Sequence, residues 1–312
     1  MRKFWSALVL SGLALGGAAG AQAQNQSQSQ NQSQEQKPSL NPPAQQGQAG
    51  QSTQTGQANP SGQTAPPAHQ ITPVEQKAYL GVQNELDPDR QLQLVDDFSK
   101  KYPDSSLLSY VYFFGASASQ QKGNIDQMVV YGTKSLQANP DNLQSLVIMA
   151  GLLPQPQVLK GSDADKEKQL NDAEADGNRA LQQIPNLKPQ GTQTAEQVAQ
   201  LKAGLSGQVH AALGMVHLQR AMLGALAGPD PQELAKAETE YKAAVSGSSQ
   251  PNAEDYYRLG EVYQHENKLD DAIDAFSKTS QLAQGSPLQG IADKQVQDLK
   301  ARKAQSPPPA KP

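Results

Sequence analysis

The chain has 312 residues, a formal net charge of −4 and no cysteine. Missing thiols exclude disulfide staples, a lipid-modified cysteine and thiol catalysis, so any folded part must be held by its apolar core. Lys and Arg form no cluster, which disfavours binding to nucleic acid or to an anionic membrane surface, since both rest on neutralising phosphates.

Arg2 and Lys3 precede an apolar run rich in Ala, Leu and Gly from Phe4 to Ala19, and Ala21-Gln22-Ala23 then places small residues at a cleavage site. The run is too short for a spanning helix and matches a cleaved secretory leader over 1–23, which implies a periplasmic or secreted protein with no remaining transmembrane segment. Losing Arg2 and Lys3 leaves 24 basic against 30 acidic residues. Residues 24–70 are mostly Gln, Ser, Asn, Gly, Pro and Ala, with Glu35 and Lys37 the only Asp, Glu, Lys or Arg there. Such a segment cannot bury enough apolar surface to offset chain entropy, which predicts a disordered linker. Its r.m.s. span would be about 35–40 Å.

From 71 to 303 strand signals are nearly absent and helix punctuation is dense. Thr72-Pro73-Val74-Glu75 reads as a capping box that opens a helix to about Leu86. Asp87-Pro88 opens a second, with Leu92, Val95 and Phe98 on one stripe, ending before Pro103. A third is expected from about Ser105 to Gln121, a fourth from Ile125 to Ala138 and a fifth from Leu143 to Leu153. A loop carrying Asp163, Asp165 and Glu167 then precedes a helix from Asp172. Thr194 with Gln197 opens an unusually long helix, and Asp230-Pro231-Gln232-Glu233 reads as another capping box. The last helix starts at Pro287, with Leu288, Ile291, Val296 and Leu299 on its apolar stripe. A Pro-rich tail, 304–312, closes the chain.

The stretch Ala253 to Ser286 carries Tyr256, Leu259, Gly260, Tyr263, Ala272, Phe276 and Thr279 at fixed offsets. It resembles one complete tetratricopeptide repeat, the 34-residue helix–turn–helix unit, with Thr279 in place of the usual small residue. Weaker matches with insertions have Ala173, Ala180 and Pro185 in one unit, and Leu213-Gly214, Ala237, Tyr241 and Ala244 in another. Gly132 and Gly177 stand where the family has an aromatic, implying units that are degenerate or unusually close-packed. The resemblance implies an all-α solenoid of three or four repeat pairs, because one such unit cannot bury its apolar face alone.

It also implies a function. In this family the first helix of each unit lines a groove that holds a protein partner. The matching positions here are Tyr110, Phe113, Ser117, Gln120 and Gln121, then Gln208, Ala211, Met215 and Gln219, then Glu254, Tyr257, Glu261 and Gln264. The pattern puts Tyr256 inside the fold and Tyr257 in the groove. The Lys and Asn by which some members clamp a terminal carboxylate are missing. The implied role is a non-enzymatic adaptor of the bacterial cell envelope.

Chemistry is harder to find. His210 and His217 sit two turns apart on one helix, but with no third ligand at spacing they read as packing residues. Asp172 to Gly177 imitates the start of a calcium loop, yet Gln183 occupies the place of the bidentate Glu. No nucleophile elbow, phosphate loop or zinc-protease signature is present, so the reading is of no enzyme, cofactor or metal. The competing reading is an envelope enzyme or carbohydrate-binding accessory, with a pocket built by the insertions near Pro154 and Pro229.

Overall fold

A computed structural model describes residues 70–224, 228–247 and 252–305. The expected leader lies outside these residues, as do the linker apart from Gln70 and the tail beyond Gln305. The helix starts follow local chemistry. The hydroxyl of Thr72 accepts from the backbone N–H of Glu75, whose carboxylate accepts in return, opening α1 (Pro73–Asn84). Asp87 caps α2 (Pro88–Lys101) in the same way at Arg90. α3 (Leu108–Gln121) begins three residues later than expected, because Ser105 is spent on a turn that ties Glu75 to the N–H of Leu107.

α4 (Ile125–Ala138) and α5 (Leu143–Leu152) are capped by Asn124 and Asn142. The acidic stretch expected to be a loop is instead the start of α6 (Asp163–Gln183), with Ser162 and Asp165 forming a capping box and the calcium-like stretch lying inside the helix. A short 3₁₀ turn (Ile184–Asn186) leads to α7 (Ala195–Met222), 28 residues long and opened by Thr194 and Gln197 as expected. α8 (Pro231–Gly247) lacks the anticipated capping box. Asp230 accepts from the N–H of Gln232, while the Glu233 side chain turns to His217 of α7. α9 (Ala253–His265) and α10 (Leu269–Leu282) form the best-matching repeat, and α11 (Pro287–Gln305) covers it. On α11 the covering face is Ala292, Val296 and Leu299, whereas Ile291 is exposed.

Among the described residues these helices make an all-α solenoid of five consecutive pairs closed by α11, more than the three or four expected. The core is a row of linked patches, from Tyr79, Val95 and Phe98 at one end to Tyr241, Phe276 and Leu299 at the other. Glycine sets the closest approaches. A Cβ on Gly260 would lie 2.8 Å from the Phe276 ring, and one on Gly214 or Gly115 would lie 2.9 Å from Tyr241 or Tyr131. In the α3–α4 pair this contact falls one place earlier in each helix than the repeat pattern has it. Gly132 and Gly177 are also close-packed, against Met149 and Leu213 of the following pair.

Candidate partner-binding groove

First helices meet at three of the four steps between pairs, α1 on α3, α5 on α7 and α7 on α9, while among the described residues the second helices make no comparable contact with one another. The layer of first helices is therefore the inner, concave one. Its chemistry is uneven. α3 and α5 contain no Asp, Glu, Lys or Arg, and α7 contains none between Lys202 and Arg220. Charge appears on α9, where Glu254, Asp255, Arg258 and Glu261 occupy two turns.

Several expected groove residues sit at this surface. Tyr110, Ser117, Gln120, Gln208, Ala211, Gln219 and Gln264 are half-buried, and Gln121 is exposed. The Gln120 Oε1 is buried without a hydrogen-bond partner. Two residues are not available. Phe113 is core, packed with Met128, Ile148 and Met149, because α5 and α4 close over that side of α3. Met215 is 6% exposed and likewise inside, with Gln219 reaching back to its sulfur. The tyrosine pair also departs from expectation. Tyr257 rather than Tyr256 joins the terminal core patch, its ring 5.2 Å from that of Phe276 in an edge-on arrangement.

Arg258 organises the α9 end. Its guanidinium meets Glu261 at 2.8 Å and Glu254 at 3.5 Å, and it lies 5.8 Å from the Tyr257 ring centre. Burial pushes Glu254 up, and the neighbouring Arg258 only partly offsets this. Burial, aided by the charge on Glu254, pushes Asp255 up to about 7. Behind them the Tyr241 hydroxyl is buried without a hydrogen-bond partner. Asp255, Arg258 and Tyr241 were not among the sequence candidates. Asp255 and Arg258 fall at non-groove positions of the repeat, and Tyr241 reads there as a wedge residue.

The histidines belong to a separate structural network. His210 Nδ1 lies 2.7 Å from Glu240, and His217 Nδ1 lies 2.7 Å from Glu233, forming a two-step ladder between antiparallel α7 and α8. Arg220 ties this ladder to α6 through Glu167, Asn171 and Glu174, each at 2.9 Å, and approaches Glu233 at 3.5 Å. Burial alone would raise Glu233, but hydrogen bonds from Lys236 and His217 hold it below the usual range. Among the described residues no group of three or more His, Cys, Asp or Glu is arranged to hold a metal.

The insertion after Pro154 does line a depression, an open one of about 460 Å³ shared with the α3–α4 turn. Its charged side chains are Lys122, Lys160 and Asp126, and Asp126 is paired with Lys160 at 3.3 Å. The site therefore lacks the convergent carboxylates or histidines of acid–base catalysis. The insertion near Pro229 includes 225–227, outside the described residues. No described helix is long and apolar enough to cross a membrane.

No protein-family model matches the chain, nor does any curated protein. Among solved structures it is similar to TTC0263, described as a thermophilic TPR protein of Thermus thermophilus, at 18% identity over 72% of this chain and 99% of that one, with a TM-score of 0.46. It is similar to the MamA protein at 18% identity over 67% of this chain and all of that one, with a TM-score of 0.35. It is also similar to yeast Tom70 at 14% identity over 72% of this chain and 46% of that one, with a TM-score of 0.34. Likeness at this level carries no argument about what the chain does, and the helix-pair architecture rests on its own geometry.

Proposed function

We propose that this chain is a non-enzymatic protein–protein adaptor of the bacterial cell envelope, exported by a leader cleaved after Ala23. Its 24–70 linker tethers the array, and the concave layer of first helices holds an extended segment of a protein partner. The observation that supports this most is the surface of α3, α5 and the middle of α7, between Lys202 and Arg220, which holds no Asp, Glu, Lys or Arg and presents Tyr and Gln rather than the convergent ionisable groups of an active site. Gln supplies donors and acceptors that adapt to a peptide backbone, and half-buried Tyr supplies apolar area at low entropic cost.

Affinity capture from envelope extracts tests the reading. The wild-type chain should retain a partner that Gln120→Arg/Gln208→Arg loses, while Thr133→Arg/Asp274→Arg, on exposed sites of second helices, retains it. Equal capture by all three would refute the groove. Recovered protein should begin at Gln24 and contain no tryptophan, since Trp5 departs with the leader. An N-terminus at Met1 would refute export.

A further inference from the structure

We propose that the groove is occupied by the chain's own residues 24–36, laid extended along α3, α5, α7 and α9 until a partner segment displaces them. The proposal rests on the groove reading and names a competitor for the same surface.

Three observations carry it. First, glutamine stands at every second place from Gln24 to Gln36, with only Asn, Ser and Glu35 between. A period of two has a use in extended chain, where alternate side chains leave on opposite sides, so that all these amides share one edge. A plain spacer needs polarity but not that period. Second, the inner layer offers the matching chemistry. Gln120, Gln121, Gln208 and Gln264 stand on it from α3 to α9, and the Gln120 Oε1 is buried without a hydrogen-bond partner. A primary amide donates twice and accepts through its oxygen, so it can meet another amide or the backbone of an extended segment. Glu35 is the one charged side chain of the strip, and α3, α5 and the middle of α7 have none, so the contact desolvates little charge. Third, the lengths agree. The strip, 24–36, reaches about 40 Å when extended, and the three steps from α3 to α9 cover at least about 30 Å at the spacing of packed helices. Residues 37–69 join the strip to Gln70, just before α1, the first helix of the inner layer. As a flexible coil they span about 30–35 Å, which suits that distance and gives the strip an effective concentration of about a millimolar, so weak contacts suffice.

The chain has no cysteine, so Ser29→Cys places a single nitroxide at the middle of the strip, on the edge away from the glutamines. In the chain beginning at Gln24, isotopically labelled for amide spectra, the nitroxide should remove most of the signal from inner residues of α5 and α7. Residues around Thr133 and Asp274, exposed on second helices, should keep theirs. Exchanging neighbours at 26/27, 30/31 and 34/35 keeps the composition but splits the glutamines between both edges, and should restore the lost signal several-fold. These exchanges lie outside the described helices, so they test the contact without touching the core. Gln120→Arg/Gln208→Arg should restore it as well.

Signal loss spread evenly over the surface, or unaltered by the exchanges, would overturn the proposal and leave a plain tether. Loss passed from a spin-labelled, isotopically blank chain to a labelled chain without nitroxide would assign the strip to a second copy and overturn it likewise. Failure here with the partner still lost on Gln120→Arg/Gln208→Arg would remove this occupant and leave the groove standing. Equal capture of the partner by all variants, with the signal loss intact, would instead remove the partner's use of the groove.

Discussion

Replacing Gly260 with alanine adds one carbon at the tightest crossing of the α9–α10 pair. That carbon would lie 2.8–2.9 Å from three atoms of the Phe276 ring, closer than real Cβ contacts. The ring is fully buried, so it cannot swing into solvent, and Tyr257 already blocks it edge-on. Overpacking of this kind costs about 1–3 kcal/mol. Alanine is worth about 1 kcal/mol more than glycine within a helix, which offsets part of that. The net expectation is a loss of about 1–2 kcal/mol. Gly81→Ala, in exposed helix with nothing within 4 Å of the new atom, shows the propensity gain alone. It should stabilise the protein by up to about 1 kcal/mol. Urea unfolding followed by circular dichroism reads both variants. Gly260→Ala/Phe276→Leu should recover part of the loss, because the smaller side chain yields. If Gly260→Ala were as stabilising as Gly81→Ala, the contact would not be tight and the repeat geometry assigned to this pair would be wrong.

Asp255 gives a pH test. Its folded value, about 7, stands above the ordinary aspartate value of 3.8, so the native state favours the protonated form. That advantage is present below about pH 4 and is lost as pH rises towards about 7. In urea unfolding, Asp255→Asn should therefore match the wild type at acid pH and exceed it by about 2–4 kcal/mol above neutrality. A pH-independent difference would refute the burial argument. Arg220→Met should cost about 2 kcal/mol in the same assay, between the values for surface and buried ion pairs. Arg220→Lys should recover little, since a point charge cannot meet Glu167, Asn171 and Glu174 together, and full recovery would refute the network.

Much of the helix layout was legible because the starts are written in side chains. Thr72 with Glu75 and Thr194 with Gln197 are visible caps that form as read. Ser162 with Asp165 is the same signal, obscured by an acidic run that resembles a solvated loop. The unformed box at Glu233 shows the limit of local reading, because a partner on another helix, His217, outcompeted the backbone. That partnership left a trace. Two histidines and two glutamates, each pair seven residues apart, match across the α7–α8 hairpin, but the intervening insertion hides their register. The groove was legible only in outline. Phe113 and Met215 occupy inner positions of the pattern yet are covered by packing, and Tyr257, a groove position of the pattern, lays its ring on Phe276 while Tyr256 is only half-buried.

The glycines of the second helices have a further consequence for how the pairs are joined. Gly132 and Gly177 leave room for Met149 and Leu213 of the following pair to sit directly on the backbones of α4 and α6, whereas at the matching place of α8 Tyr241 carries a ring that lies on Gly214 of its own pair. A side chain added at Gly132 or Gly177 would therefore press on the neighbouring pair, and one added at Gly214 or Gly260 would press inside its own. The first two glycines are fittings of the seams between pairs, and the other two are fittings of the pairs themselves.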